Sequence, residues 1–279
     1  MIIDAHHHLW KVARGDYFWM DPIADPSVAP IARDFVLRDY LTLTRAAGVT
    51  GSVLVQAAQT VAETEWLLEQ ARASNGLIRG VVGWVDMAAA DSRETLQHLA
   101  QNPLLRGIRP MLQDIRPDDW VLRPELAAAF RAVIELDLAF DVLIRPPQLE
   151  SAFTLLMRYP QLRAVIDHGA KPQIAQGQWQ PWADWMRRIA RETPAYCKLS
   201  GLVTEASPEW KIDDLRRYTD HLIECFGPHR LMWGSDWPVA LLASDYQRWL
   251  ETAQTLIRAL QEPERSQVMG TNAMRLYKL

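Results

Sequence analysis

The chain has little cysteine and no excess of charge of either sign. Two cysteines, Cys197 and Cys225, stand among 279 residues, and neither belongs to a C-x-x-C pair. That excludes a disulfide framework. Lysine and arginine number 30 against 34 aspartates and glutamates, a formal net charge of −4, which leaves no electrostatic footprint for nucleic acid or an anionic membrane surface. No run of 18 apolar residues occurs, so no membrane-spanning helix is expected. The opening Met1-Ile2-Ile3-Asp4-Ala5-His6 has no basic n-region and no long apolar stretch. No secretory signal is read there, and a cytoplasmic location with reduced thiols is expected. With 49% apolar and 23% charged residues, the composition is that of an ordinary globular protein, which excludes global disorder.

What is present in excess is tryptophan, twelve in all. The side chain is large, costly to leave in water and suited to lining pockets. Its distribution follows from the pattern of the chain. Short apolar runs recur: Ile2–Ala5, Ser52–Val55, Gly80–Val85, Leu105–Arg109, Ala139–Ile144, Ala164–Asp167, Tyr196–Leu199 and Leu231–Trp233. Near-continuous apolar runs of this length suit parallel strands buried on both faces. Amphipathic stretches of helical length separate them, at Thr60–Ser74, Ser92–Gln101, Pro124–Leu136, Gln148–Tyr159, Pro181–Arg191, Asp213–Phe226 and Asp245–Leu260. Strict strand–helix alternation predicts an α/β protein of the (β/α)8 TIM-barrel type, with residues 1–279 forming one domain. A doubly wound open sheet is the alternative, but it usually carries a glycine-rich phosphate turn after its first strand, where this chain has histidines.

One segment breaks the alternation. Residues 10–34 form a loop with Pro22, Pro26 and Pro30 and the aromatics Tyr17, Phe18 and Trp19. A loop this long after the first strand reads as a lid on the face where barrels keep their chemistry. Trp10 and Trp19 fall in it, Trp84 and Trp120 lie near the ends of the third and fourth strands, and Trp233 and Trp237 flank Asp236. Trp66, Trp182, Trp185 and Trp249 lie in helical patterns and read as packing; Trp179 and Trp210 have no assignment.

Residues able to do chemistry collect at the ends of predicted strands. In His6-His7-His8 the alternation of a strand puts His6 and His8 on one side and His7 on the other. His6 and His8 then both face the barrel mouth or both face the helices. Paired imidazoles hold a divalent metal or polarise a carbonyl. Asp236, in Trp233-Gly234-Ser235-Asp236-Trp237-Pro238, follows the eighth strand and faces the first across the closure of the barrel. It is a candidate base or ligand, with a turn-capping role as the structural alternative. His168 follows the sixth strand, with Lys171 close behind. Arg109 and Gln113 are placed at the end of the fourth strand and Arg145 at the end of the fifth, where an arginine grips a substrate carboxylate or neutralises a neighbouring acid. Lys198 on the seventh strand is either an inward charge or an ion-pair partner in the barrel floor. His98, His221 and His229 read as surface residues.

Taken together, these motifs resemble the amidohydrolase superfamily. Ile3-Asp4-Ala5-His6-His7-His8-Leu9-Trp10 is similar to its first-strand H-x-H, the segment around Asp236 to its eighth-strand aspartate, and Glu264 through Tyr277 to its closing helix. Asp167-His168-Gly169-Ala170-Lys171-Pro172 and Lys198 through Ala206 resemble the branch of sugar-lactone hydrolases and pyrone-dicarboxylate lactonases, within which the L-fucono-lactonase type is nearest. Binuclear members carry a bridging lysine or glutamate on the fourth strand and a histidine on the fifth. Here those strands end Arg109-Pro110-Met111 and Ile144-Arg145-Pro146, so a bridged pair of metals is not expected. His6, His8, His168 and Asp236 remain, enough for one zinc ion or for metal-free chemistry, and the branch includes enzymes that need no divalent cation.

The resemblance implies a hydrolase opening an aldonolactone such as L-fucono-, L-rhamnono- or galactono-lactone, a small-molecule substrate with neither nucleic acid nor membrane as partner. A homo-oligomer is compatible with it. Asp236 would take a proton from the attacking water. His6 and His8 would donate to the developing oxyanion, directly or through a metal, and His168 would orient water or substrate or protonate the leaving oxygen. Trp10, Trp19, Gln113, Arg109, Lys171 and Trp237 are the expected substrate contacts. A carboxylated lactone, or mononuclear-zinc decarboxylation on the same barrel, is the alternative chemistry.

Overall fold

A computed structural model describes residues 1–279. Eight parallel strands run in sequential order: β1 (Ile3–His7), β2 (Gly51–Val55), β3 (Ile78–Gly83), β4 (Leu105–Ile108), β5 (Ala139–Val142), β6 (Arg163–Ile166), β7 (Tyr196–Leu199) and β8 (Leu231–Trp233). A helix follows each: α1 (Leu37–Ala47), α2 (Val61–Ala73), α3 (Ser92–Leu99), α4 (Ala127–Glu135), α5 (Leu149–Arg158), α6 (Trp182–Glu192), α7 (Ile212–Phe226) and α8 (Tyr246–Leu256). The chain ends in α9 (Glu262–Ser266), one π-turn over Gln267–Thr271, and α10 (Asn272–Tyr277). This is the expected (β/α)8 barrel.

Some boundaries differ from expectation. The fifth run extends apolar to Ile144, yet β5 stops at Val142, and β3 covers Ile78–Gly83 rather than Gly80–Val85. Val85, Leu143 and Ile144 stay buried after leaving the ladder, so hydrophobicity marks burial there and not pairing. Helix α1, which the amphipathic stretches above do not include, is cut short on its apolar side, with only Tyr40 and Thr44 fully buried.

The barrel interior is packed rather than hollow. Ile3, Ala5, Val53, Val82, Val165 and Met232 fill its lower half, and Ala273, Leu276 and Tyr277 of α10 close the bottom. Burying such side chains contributes about 1.5–3 kcal/mol each for the larger ones.

Two departures from regular geometry shape the mouth. Ile3 and Ala5 point inward, so simple alternation would turn His7 inward as well. The pairing of β1 with β2 instead slips between Asp4 and His7, and Asp4 Oδ1 accepts from the His6 amide inside the irregularity at 3.2 Å. A bulge of this kind flips the facing of everything beyond it. His6 and His8 therefore face the mouth. His7 faces outward, stacked on Tyr40 of α1 at 3.7 Å and within 3.1 Å of Ser52 Oγ.

The second departure is the seam between β8 and β1, which is made by the segment just past β8. The Asp236 amide donates to His6 O and the His8 amide to Trp237 O, both at 2.7 Å, with a parallel bridge between His7 and Trp237.

Residues 10–34 form a clasped loop carrying two short 3-10 turns, Val12–Arg14 and Pro26–Ile31. Its base is tied by reciprocal backbone bonds between Trp10 and Phe35 at 2.9 and 3.0 Å. Trp19 Nε1 donates to Ala57 O at 2.7 Å, and Asp16 receives Arg14 at 2.7 Å and Thr60 Oγ1 at 3.1 Å. The loop is thus docked on the β2–α2 connection.

Candidate active site

The structure brings His6, His8, His168 and Asp236 together at the C-terminal end of the barrel. Asp236 Oδ1 lies 3.4 Å from His8 Nε2, 3.7 Å from His6 Nε2 and 3.9 Å from His168 Nε2. The Nε2 atoms of His6 and His8 are 3.2 Å apart. All four residues are buried.

Both motifs that close on this centre are bent into left-handed backbone. Asp236 has φ 55°, and His168, Gly169, Ala170 and Lys171 form a run at φ 52°, 56°, 60° and 48°. Each such non-glycine residue is held at a cost of order 1–3 kcal/mol by its surroundings. The restraints are identifiable. Trp182 Nε1 of α6 donates to Gly169 O at 2.7 Å, and Trp249 Nε1 of α8 donates to Gly234 O at 2.9 Å. These two tryptophans, expected to be helix packing alone, also anchor the loops that carry His168 and Asp236.

Close approach accounts for two glycines. A Cβ on Gly234 would lie 2.7 Å from His6 Cβ, and one on Gly201 would lie 2.6 Å from His168 Nδ1, at a backbone φ of +62°.

Asp4 ties the parts together. Besides the His6 amide it accepts from the Ser235 amide at 2.8 Å, Tyr40 OH of α1 at 2.9 Å and Tyr246 OH of α8 at 3.0 Å. Four donors satisfy its buried carboxyl, and burial still raises its pKa above the usual carboxylate range.

Below the centre lies a cluster of charge. Lys198 Nζ is 2.5 Å from Asp141 Oδ2, 2.9 Å from Asp167 Oδ1 and 3.0 Å from His6 Nδ1. Tyr277 OH of α10 donates to Asp141 at 2.8 Å. Arg109 turns inward, with Nη2 donating to Gln56 O and Nη1 placed 3.4 Å from Asp167 Oδ2 and 3.3 Å from His6 Nε2.

Titration follows from burial and these partners. Burial lowers the pKa of His6 well below its ordinary value, reinforced by Lys198. It also lowers His8, and pushes His168 down to about 4. Burial works to raise Asp236, but His168, His8 and Lys171 outweigh it and hold the carboxyl below its ordinary value. At neutral pH the centre is one carboxylate facing three neutral imidazoles.

The other expected contacts divide. Lys171 stands 3.8 Å from Glu205 Oε1. Arg145 is exposed. Trp19 is partly exposed in the docked loop, whereas Trp10 and Trp237 are buried among aromatics: Trp10 beside His8, Trp19 and Phe35, Trp237 beside Phe35 and Tyr40. Gln113 does not end β4, which stops at Ile108; it sits in a 3-10 turn over Leu112–Asp114 because Pro110 breaks the ladder. Trp120 lies in a further turn and packs toward α5. His221, expected at the surface, is buried in α7, with Nε2 2.8 Å from Ala183 O and its ring against Trp179 and Trp182. An amphipathic pattern does not distinguish a surface histidine from one on the inner face whose ring finds a carbonyl.

Sequence reasoning did not single out Asp4, Asp141, Asp167, Ser200 or Tyr277. A signal existed for two of them: Asp141 and Asp167 are acids within or just past apolar strands, and a buried charge demands a partner. Lys198 on β7 is that partner.

The donor set also bears on metal. His8 gives its Nδ1 proton to Val55 O at 2.8 Å, and His168 Nδ1 meets Ser200 Oγ at 2.8 Å. This is the outer support that metal-ligating imidazoles have. The side chains close enough to share a divalent cation fall in two groups, His6 with His8 and Asp236, and His6 with Asp167 and His168. His6 belongs to both groups, yet its Nδ1 faces an ammonium rather than an outer acceptor.

A carboxylate opposed to imidazoles at the mouth of a (β/α)8 barrel is the architecture of a hydrolase that activates water. The chain belongs to the amidohydrolase family, whose model matches residues 3–279. It is 41% identical to an L-fucono-1,5-lactonase of Burkholderia ambifaria, covering 99% of this chain and 95% of that one. It is 33% identical to an L-fucono-1,5-lactonase of Burkholderia multivorans, covering 99% and 96%. Among solved structures, an amidohydrolase from Burkholderia multivorans with bound zinc superposes with a TM-score of 0.92 at 33% identity, covering 100% of this chain and 99% of that one. No helix is long and apolar enough to cross a membrane.

Proposed function

We propose that the chain is a lactonase that opens sugar lactones, with L-fucono-1,5-lactone and related L-rhamnono- or galactono-lactones as the neutral substrates, and that residues 1–279 act as one barrel domain with 10–34 as its lid. The observation that carries this reading is an ionised carboxylate, Asp236, facing neutral imidazoles in a buried site. The identity to two L-fucono-1,5-lactonases supports the choice of sugar.

The chemistry asks little of the protein beyond placement. Water attacks the ester carbonyl carbon and gives one proton to Asp236. Nε2 of His8, left bare because Nδ1 is committed to Val55 O, accepts the water's other hydrogen and orients it. His8 in this form cannot donate to the oxyanion, which differs from the role expected of it. The oxyanion instead receives His6 Nε2–H and Arg109 Nη1–H, two donors 3.3 Å apart. Collapse of the tetrahedral adduct breaks the acyl–oxygen bond, and the leaving ring oxygen takes the proton held by Asp236, relayed by His168. A zinc ion held by His6, His8 and Asp236 would, when bound, supply Lewis acidity toward the same carbonyl.

Recognition of a neutral ring is supported at the mouth. A cavity of about 220 Å³ is lined by Trp19 and Phe18 of the lid, Ala58 past β2, and Met111 and Asp114 past β4, with Asp16 beside them. Aromatic and apolar faces pack the C–H face of a polyol while carboxylates accept from its hydroxyls. A carboxylated lactone would need Arg109 or Arg145 in the pocket, and neither lines this cavity. Acid release from a panel of neutral aldonolactones and of dicarboxylate lactones, followed with a pH indicator, tests the reading. Turnover of the neutral set alone is expected; turnover of the dicarboxylates alone would overturn it.

A further inference from the structure

Lys198 projects from β7 into the closed barrel with no exposed surface, where an ammonium is tolerated only with good partners. Asp141 and Asp167 supply the charge. Neither explains the third contact, His6 Nδ1 at 3.0 Å. An ammonium has donors and no acceptor, so this contact is a hydrogen bond only when Nδ1 carries a lone pair and the imidazole proton sits on Nε2.

The other edge of the ring agrees. Val55 O can only accept, so His8 Nδ1, 2.8 Å away, carries the His8 proton and His8 Nε2 is bare. His6 Nε2 lies 3.2 Å from that bare nitrogen, and its own N–H completes the pair. The opposite tautomer of His6 would set two donors against each other at Lys198 and two lone pairs against each other at His8. In return it would gain only a 3.6 Å approach to Asp167 and a 3.3 Å bond from Arg109.

We propose that Lys198 is a positioning residue that locks His6 in the Nε2–H tautomer, which keeps His6 a hydrogen-bond donor and withholds its Nε2 from the metal groups it would otherwise join. The tautomer and its consequence for metal affinity stand without the lactonase reading; only the kinetic readout rests on it.

Long-range proton–nitrogen correlation spectra of the full chain, labelled with nitrogen-15 histidine, report the protonation of each ring nitrogen. Comparison with His6→Gln assigns the His6 signals. The wild type is expected to show His6 protonated on Nε2 and bare on Nδ1. Lys198→Met removes the donor and keeps the apolar stem. It should move the proton to Nδ1, toward Asp167, and raise zinc affinity in a chelator-competition titration roughly tenfold, the scale of such outer contacts. On a sugar lactone it should lower kcat with KM nearly unchanged. Lys198→Arg, which retains a donor, should keep the Nε2–H form, and it serves with the wild-type spectrum should Lys198→Met not fold. A wild-type His6 protonated on Nδ1, or a Lys198→Met protein whose tautomer and zinc affinity are unmoved, overturns the proposal. A moved tautomer in a protein that hydrolyses no lactone upholds it and refutes the lactonase reading instead.

Discussion

At the scale of single residues, the behaviour of Asp236 follows from its neighbours. Its carboxyl is held below the ordinary range against the pull of burial, because His168, His8 and Lys171 favour the charged form. Asp236→Asn keeps size and hydrogen-bonding shape but removes the base. Turnover should fall about 10²–10⁴-fold, while circular dichroism and the thermal midpoint stay close to wild type; near-normal turnover would remove Asp236 from the mechanism. The sign of the pH dependence also follows. A base must be ionised to act, and a depressed pKa keeps it ionised into acid. His168 gains its proton only near 4. The profile of kcat/KM should therefore be level from neutral pH down to about 5 and drop toward 4. A midpoint near 6.5, the ordinary histidine value, would contradict the neutral, buried imidazoles.

At the scale of elements, the site depends on how closely β1 and the end of β8 approach. Gly234 has room for no side chain there, since a Cβ would sit 2.7 Å from that of His6. Gly234→Ala should cost about 1–3 kcal/mol through overpacking, read as a lowered urea midpoint. It should also lower kcat by more than the loss of folded protein explains, because His6 is the atom group displaced. Equal losses of activity and folded fraction would place the effect in stability alone. The elements also show what the sequence made legible. The eight strands, their order and the facing pair His6 and His8 against Asp236 could be read from apolar runs and motif positions. The inward choice for His6 and His8 could not, because it turns on a bulge fixed by the Asp4 carboxyl, and a side-chain-to-amide bond leaves no trace in hydrophobic periodicity. The same holds for Trp182 and Trp249, whose apolar bodies fit the helical pattern while their N–H groups do the anchoring. Lys198 was visible as an anomaly, a charge on a buried strand, but its partners lie on β5, β6 and β1 and emerge only when the barrel closes.

At the scale of the whole molecule, the two ends of the chain meet through the barrel. Helix α10 seals the bottom, and Tyr277 reaches up to Asp141, which holds Lys198, which touches His6. Tyr277→Phe leaves the packing volume in place and deprives a buried carboxylate of a donor. It should destabilise by about 1–3 kcal/mol, measured by urea unfolding, and should lower kcat while leaving KM nearly unchanged, since the residue lies beneath the site and not in the mouth. An unchanged urea midpoint would mean that water or another group satisfies Asp141 in solution.

The seam between β8 and β1 has a consequence for how the protein opens. Its two shortest backbone bonds are donated by the amides of Asp236 and His8, so part of what closes the cylinder is the backbone of the proposed centre itself. The Asp4 carboxyl, accepting from the Ser235 amide, ties the same two segments. Any fluctuation that parts the first and last strands dismantles the centre in the same motion, and any variant that loosens the centre loosens the closure. Deuterium uptake at those two amides should thus report both at once, rising together in every variant that loses turnover by loss of geometry and remaining slow in Asp236→Asn, which loses only its base.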